Sequence, residues 1–117
     1  MRVLFVAAEA APFVKTGGLA DVAAALPAAL AALGHEVRLI MPRYKVLRTR
    51  SEPMTGPQAA TFLPVGERAE EMRLYTGALG EVPVHFLDIP AAFERDPIYG
   101  ERDDIRRFVL FARGVLA

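Results

Sequence analysis

Arg2-Val3-Leu4-Phe5-Val6-Ala7-Ala8 and, one helix length further on, Glu36-Val37-Arg38-Leu39-Ile40-Met41 are the two runs that decide the fold. The first is continuously apolar and partly β-branched, the composition of a strand buried on both faces of a parallel sheet. The second is also strand-like and is closed by Pro42. Between them, residues 19–33 are rich in Ala, Leu and Val, and Gly34 follows in the position that ends a helix. Pro27 falls inside this helix and removes one backbone hydrogen bond, which predicts a kink or break just before it. Residues 9–18 form a loop punctuated by Pro12 and Gly17-Gly18. Strand, loop, helix, turn and strand make a βαβ unit with parallel strands.

Beyond this unit the pattern changes. Residues 43–58 are polar and broken by Pro53, Gly56 and Pro57, which predicts an exposed loop. Residues 60–65 and 72–76 read as a hairpin turning at Gly66-Glu67. Val82-Pro83-Val84-His85-Phe86-Leu87 reads as a third core strand, with Pro83 near its start, where a missing donor is tolerated. Residues 3–8, 37–41 and 84–87 are expected as parallel neighbours with the first in the middle, the doubly wound order. A short helical turn is expected at residues 91–95. Residues 103–116 place Ile105, Phe108, Val109, Phe111, Ala112, Val115 and Leu116 at helical spacing, with Asp103 and Asp104 at the positive end of the dipole. His35 is expected in the surface turn after the first helix, and His85 on or beside the sheet. The last residues still read as helix, so the chain is expected to be a piece of a larger protein.

The 117 residues suit one domain. Hydrophobic residues at 53% and charged residues at 24% exclude a disordered polar tail. Fourteen basic side chains balance fourteen acidic ones, which argues against nucleic acid as a partner. The absence of cysteine excludes a disulfide frame, a thiolate nucleophile and sulfur-ligated zinc. Twelve Arg against two Lys, with no Asn, fits a thermophile and fits a GC-rich genome equally. The apolar run at the amino terminus is too short for an export signal, and no run reaches the ~18 residues of a membrane span. The expected location is cytoplasmic.

Ligands of open α/β sheets bind at the carboxyl ends of the strands, which directs attention to Glu9-Ala10-Ala11-Pro12-Phe13-Val14-Lys15-Thr16-Gly17-Gly18-Leu19-Ala20-Asp21-Val22. Gly17-Gly18 lets backbone approach a ligand where a helix begins, and helix amides with Lys15 beside them suit an anion. The pattern is neither G-x-G-x-x-G nor a Walker loop. A plain glycine-rich turn with a solvated lysine explains it as well on spacing alone. Glu9 is placed to bond the loop's own amides and hold its shape.

The residues from Glu9 to Val22 resemble the amino-terminal signature of the bacterial glycogen synthase and plant starch synthase family. Ala25-Leu26-Pro27, Gly34-His35-Glu36-Val37, Met41-Pro42-Arg43-Tyr44, Arg95-Asp96-Pro97-Ile98-Tyr99-Gly100 and Arg107-Phe108 extend the resemblance, while residues 47–80 match loosely. Asp104 stands where the family usually has Asn. The resemblance implies an α/β fold with a Rossmann-like parallel sheet. Residues 1–117 would form the incomplete amino-terminal domain of a two-domain GT-B glycosyltransferase, its carboxyl-terminal Rossmann-like domain absent. It implies retaining transfer of glucose from ADP-glucose to the non-reducing end of an α-1,4-glucan, with no cofactor and no metal. By resemblance Lys15, Gly17, Gly18 and Asp21 bind the nucleotide sugar and Tyr99 lines the cleft. No residue of the chain is assigned a catalytic role, and the chain alone is expected to be inactive. The alternative is a stand-alone flavodoxin-like module that holds an anion without catalysis.

Overall fold

The computed structural model describes residues 1–48, 54–93, 98–100 and 102–117. Five strands form one sheet: β1 (Arg2–Val6), β2 (Glu36–Pro42), β3 (Thr55–Val65), β4 (Arg68–Leu79) and β5 (Val82–Asp88), in the order β1-β2-β5-β4-β3. β1 runs parallel to β2, with Val3 opposite Val37 and Val6 opposite Ile40. β2 runs parallel to β5, with Leu39 opposite Val84 and Met41 opposite Phe86. The βαβ unit is therefore present, and the three expected strands are parallel neighbours.

Two expectations are corrected. The middle strand of the three is β2, because β5 returns to the far side of β2 rather than to β1. Val37, Leu39, Ile40 and Met41 are accordingly buried, whereas Leu4 and Val6 on β1 are half exposed, at 51% and 47%. The apolar run that reads as doubly covered is an edge among the described residues. The sheet is also mixed rather than parallel, since β4 is antiparallel to both β5 and β3. The β3–β4 hairpin turns at Gly66-Glu67, as the sequence predicts, with Gly66 at φ +61°. Its strands are longer than expected, and β3 begins inside the segment read as exposed loop. The same segment holds the short helix α2 (Lys45–Arg48).

α1 (Gly18–Ala32) packs on β2 and β5 and buries Ala20, Ala23 and Pro27. The helix runs through Pro27 without a break. Gly34, at φ +93°, supplies the left-handed turn that ends it. α3 (Pro90–Phe93) is the expected helical turn, of which residues 94 and 95 lie outside the described residues. α4 (Asp104–Leu116) exists as predicted, and Phe111, Phe108 and Val115 of its expected face pack on the core, but the buried stripe is rotated to include Arg107, Leu110 and Gly114. Ile105, Val109 and Leu116 point to solvent. Gly114 makes a close approach to the sheet: a Cβ there would lie 2.7 Å from Leu87 Cδ2 and 2.9 Å from Met72 Sδ, so those side chains would have to shift. Phe93 centres an aromatic cluster with Tyr44, Phe108 and Phe111, at ring distances of 5.4, 5.8 and 6.1 Å.

Candidate functional site

The carboxyl ends of β1, β2 and β5 lie on one side of the sheet, and the loop from β1 to α1 crosses that side. Its interior half is packed. Phe13 stacks edge-on against Phe86 of β5, with ring centroids 5.1 Å apart, and Ala10 and Val14 are buried and pair with each other. The Ala11 amide donates to the Ala20 carbonyl (3.1 Å), and the Tyr44 hydroxyl, from just beyond β2, donates to the Ala8 carbonyl (2.6 Å). Burial pushes the Tyr44 phenol well above its ordinary range, so it remains a donor. Held at both ends, the loop presents Lys15, Thr16 and Gly18 to solvent.

Under this surface lies Glu9, only 1% exposed. One carboxylate oxygen accepts the Gly17 amide (3.3 Å) and the Ala20 amide (3.2 Å). The other accepts the Thr16 hydroxyl and the Tyr99 hydroxyl (3.1 Å). Gly17 is the N-cap of α1 and has no capping side chain of its own. Glu9 therefore caps the helix from a distance, satisfying two of the amides that a helix start leaves unpaired and placing negative charge at the positive end of the dipole. Burial alone would raise its pKa. The Thr16 and Tyr99 hydroxyls and the Thr16 and Gly17 amides outweigh burial and hold the carboxyl below its ordinary range. The shape-holding role expected for Glu9 is what the geometry gives.

This cap decides which amides are left for a ligand. Gly17 and Ala20 are engaged, whereas the Gly18 and Leu19 amides have no partner among the described residues. Gly17 and Gly18 have no backbone need to be glycine, since neither has positive φ and Gly17 is extended. Neither is demanded by packing among the described residues, because a Cβ on either would meet nothing within 4 Å. The space over these glycines is open in the chain itself.

Lys15 and Asp21 face each other across the loop, the ammonium 2.8 Å from one carboxylate oxygen and 3.0 Å from the other. Both side chains are more than half exposed, so the pair contributes no more than about 1 kcal/mol and exchanges readily for another partner. Tyr99 is brought to the site through Glu9. Its ring packs on Phe108 with centroids 5.8 Å apart and remains 41% exposed, while burial and the Glu9 charge push its pKa up to about 12. Residues 95–97 of the same motif lie outside the described residues. His35 sits in the turn after α1, its Nδ1 3.4 Å from the terminal amine of Met1, and His85 lies on β5. Neither reaches the loop. A depression of about 330 Å³ against Arg2, Val3, Leu4, Glu36 and Arg38 lies at the opposite end of the strands. Residues 15–21 thus form an open shelf rather than a pocket.

Arg107 has no assigned role in the sequence reading. It is 1% exposed, donates Nε–H to the Ala92 carbonyl (2.7 Å) and Nη1–H to the Ile98 carbonyl (3.2 Å), and pairs with Asp104 at 2.9 Å. Its guanidinium lies over the rings of Phe93 and Phe108, 5.4 and 5.6 Å from their centroids. Asp104 in turn accepts the Gly100 amide at 2.8 Å. The available signal is an Asp–Arg pair at i, i+3 just before the apolar run that begins at Phe108.

The family described as "Starch synthase catalytic domain" matches residues 2–117. The chain is 43% identical to a glycogen synthase of Syntrophotalea carbinolica over 122 aligned positions, which cover 100% of this chain and 25% of that protein. It is 42% identical to a glycogen synthase of Bacillus subtilis, over 99% of this chain and 24% of the relative. Among solved structures it superposes on the catalytic domain of Starch Synthase IV from Arabidopsis thaliana bound to ADP and acarbose. The TM-score is 0.88 and the identity 35%, over 97% of this chain and 24% of the other. The chain thus spans about a quarter of the length of these relatives. With the match running essentially from end to end, the chain belongs to the starch synthase catalytic domain family.

Proposed function

We propose that the chain is the amino-terminal part of a retaining glycosyltransferase, a glycogen synthase of the GT-B type. In this reading it supplies one wall of a cleft in which glucose passes from ADP-glucose to the non-reducing end of an α-1,4-glucan. The observation that carries the reading is the open space over Gly17 and Gly18 beside two unpartnered amides and Lys15. Nothing among the described residues requires glycine at either position, so the space is assigned to the donor. Its diphosphate takes the Gly18 and Leu19 amides, and Lys15 leaves Asp21 to meet it. The exchange costs little because the Lys15–Asp21 pair is exposed. Asp21, once released, faces the sugar side of the shelf. The Arabidopsis starch synthase holds ADP and acarbose, which supports a nucleotide and a glucan-like ligand for this chain's complete protein.

In mechanism, the departing ADP gains negative charge as the glycosidic bond breaks. Lys15 and the amides at the start of α1 stabilise that charge more than they stabilise the ground state. The base-binding and remaining phosphate-binding groups belong to a second domain, and reaction depends on both walls holding the reactants together. A cytoplasmic location is part of the same proposal. No described helix is long and apolar enough to cross a membrane. The likeness to synthases at 35–43% identity leaves the stand-alone anion-binding module without a supporting observation.

The test is incorporation of labelled glucose from ADP-glucose into glycogen. The full-length protein containing this chain incorporates label, and the purified 117-residue chain does not rise above a heat-killed control. Transfer by the isolated chain, or none by the full-length protein with any nucleotide glucose, contradicts the proposal.

A further inference from the structure

The support beneath the glycine loop does not end at Glu9. Hydrogen bonds and one ring contact, joined through the residue 98–100 segment, link the loop back to α4. Arg107 holds the Ile98 carbonyl and Asp104 holds the Gly100 amide, so the residues on either side of Tyr99 are both fixed by α4. Between them the Tyr99 ring rests on Phe108, also of α4. Its hydroxyl then meets the Glu9 oxygen that also takes Thr16, while the other Glu9 oxygen takes Gly17 and Ala20. Arg107 is itself locked by the Ala92 carbonyl and by two aromatic rings.

We propose that Arg107 and Tyr99 are positioning residues for the donor shelf: a strut mounted on α4 that sets the height of residues 16–20 through Glu9. The proposal rests on the donor-shelf reading above. A buried arginine is costly to desolvate, and here its guanidinium is satisfied by two backbone carbonyls, one of them in the Tyr99 turn, and by the Asp104 carboxylate. The arrangement fixes residues 98–100, which belong to no helix or strand. Without the strut, Glu9 loses one of its four donors and the loop can tilt by the small displacements to which phosphate stabilisation is sensitive. Glu9, Tyr99 and Arg107 touch no reacting atom in this account. They act through the amides they place.

The ligand-free test uses amide hydrogen exchange at Gly17 and Ala20 in this chain, with Tyr99→Phe, Arg107→Lys and the double variant. Tyr99→Phe removes one oxygen and keeps the ring on Phe108, so the fold persists when Arg107→Lys does not. Tyr99→Phe is expected to speed exchange at both amides about tenfold, the loss expected for one charge-assisted hydrogen bond. The double variant is expected to be no faster than the worse single variant, because both changes cut one line. In the full-length synthase the same Tyr99→Phe change is expected to raise donor KM while leaving glucan KM and thermal midpoint nearly unchanged. Unchanged exchange at Gly17 and Ala20 overturns the strut and leaves the donor shelf standing. Faster exchange with no change in donor KM overturns the positioning role. Failure of ADP to perturb the Gly18 and Leu19 amides of the unmodified full-length protein overturns the donor shelf, and the positioning role with it.

Discussion

Glu9 carries more of the site's architecture than any residue with an expected ligand role. A single buried carboxylate is tolerable here because the Thr16 and Tyr99 hydroxyls and backbone amides surround it, and replacing it with a neutral amide removes the charge that strengthens every one of those bonds. Glu9→Gln is expected to destabilise the fold by about 1–3 kcal/mol at neutral pH, measured by urea denaturation. The pH dependence follows from the sign of the shift. The folded pKa lies below the ordinary 4.5, so the folded state binds this proton less readily than the unfolded state. The stabilisation is complete above about pH 4.5 and is lost as pH falls through the folded value. The gap between wild type and Glu9→Gln should therefore narrow only below that point; a gap that narrows between pH 8 and 6 contradicts the assignment. The loop-holding role was legible in the sequence because a carboxylate shortly before a glycine pair has few other uses. Tyr44 and Arg107 were not legible. Tyr44 acts 36 residues back in the chain, on the Ala8 carbonyl, and Arg107 acts on the Ala92 and Ile98 carbonyls; beyond the Asp104–Arg107 spacing no local pattern encodes these contacts.

At the scale of elements, α4 shows why a periodicity can be right about a helix and only partly right about its face. Apolar residues surround much of its circumference, so the pattern fixes the helix but leaves its rotation open. The inward face includes Gly114, where the helix backbone comes against Leu87 and Met72. Arg107, two turns earlier, is inward as well. Gly114→Val is expected to cost about 2 kcal/mol through overpacking, which lowers the thermal midpoint by about 10 °C. A thermal scan showing no loss would mean that α4 can move away from the sheet, and with it the mounting of the Tyr99 turn. The β3–β4 hairpin was readable from its turn because Gly66 supplies the positive φ that the reversal needs. Its full length was not readable, because Thr55–Val65 is exposed along most of its course and carries no clear alternation.

For the whole molecule, the class of fold was in the βαβ pattern and the order of its strands was not. β1 and β2 both read as core, and only the return of β5 beside β2 decides which is flanked on two sides. β1 is consequently left with half-exposed Leu4 and Val6, and α1 with outward Leu19, Val22 and Leu26, apolar surfaces of the kind that further polypeptide covers. In the proposed reading the shelf at the end of β1 is likewise half of a site; among the described residues it is open above Gly17 and Gly18. Whatever fills that opening lies beside Lys15, the side chain proposed to meet it. Its two lysines make the chain its own control, because Lys45 is exposed at the start of α2 and lies after β2, off the glycine loop. A lysine contact that strengthens as the diphosphate departs is worth ~3 kcal/mol, on the order of a hundredfold in rate. Donor kcat/KM measured for Lys15→Gln and Lys45→Gln in the full-length synthase is the direct test. A loss of about a hundredfold confined to Lys15→Gln, with thermal stability nearly unchanged, is the predicted result. Equal and small effects of the two substitutions would contradict the phosphate role of this loop.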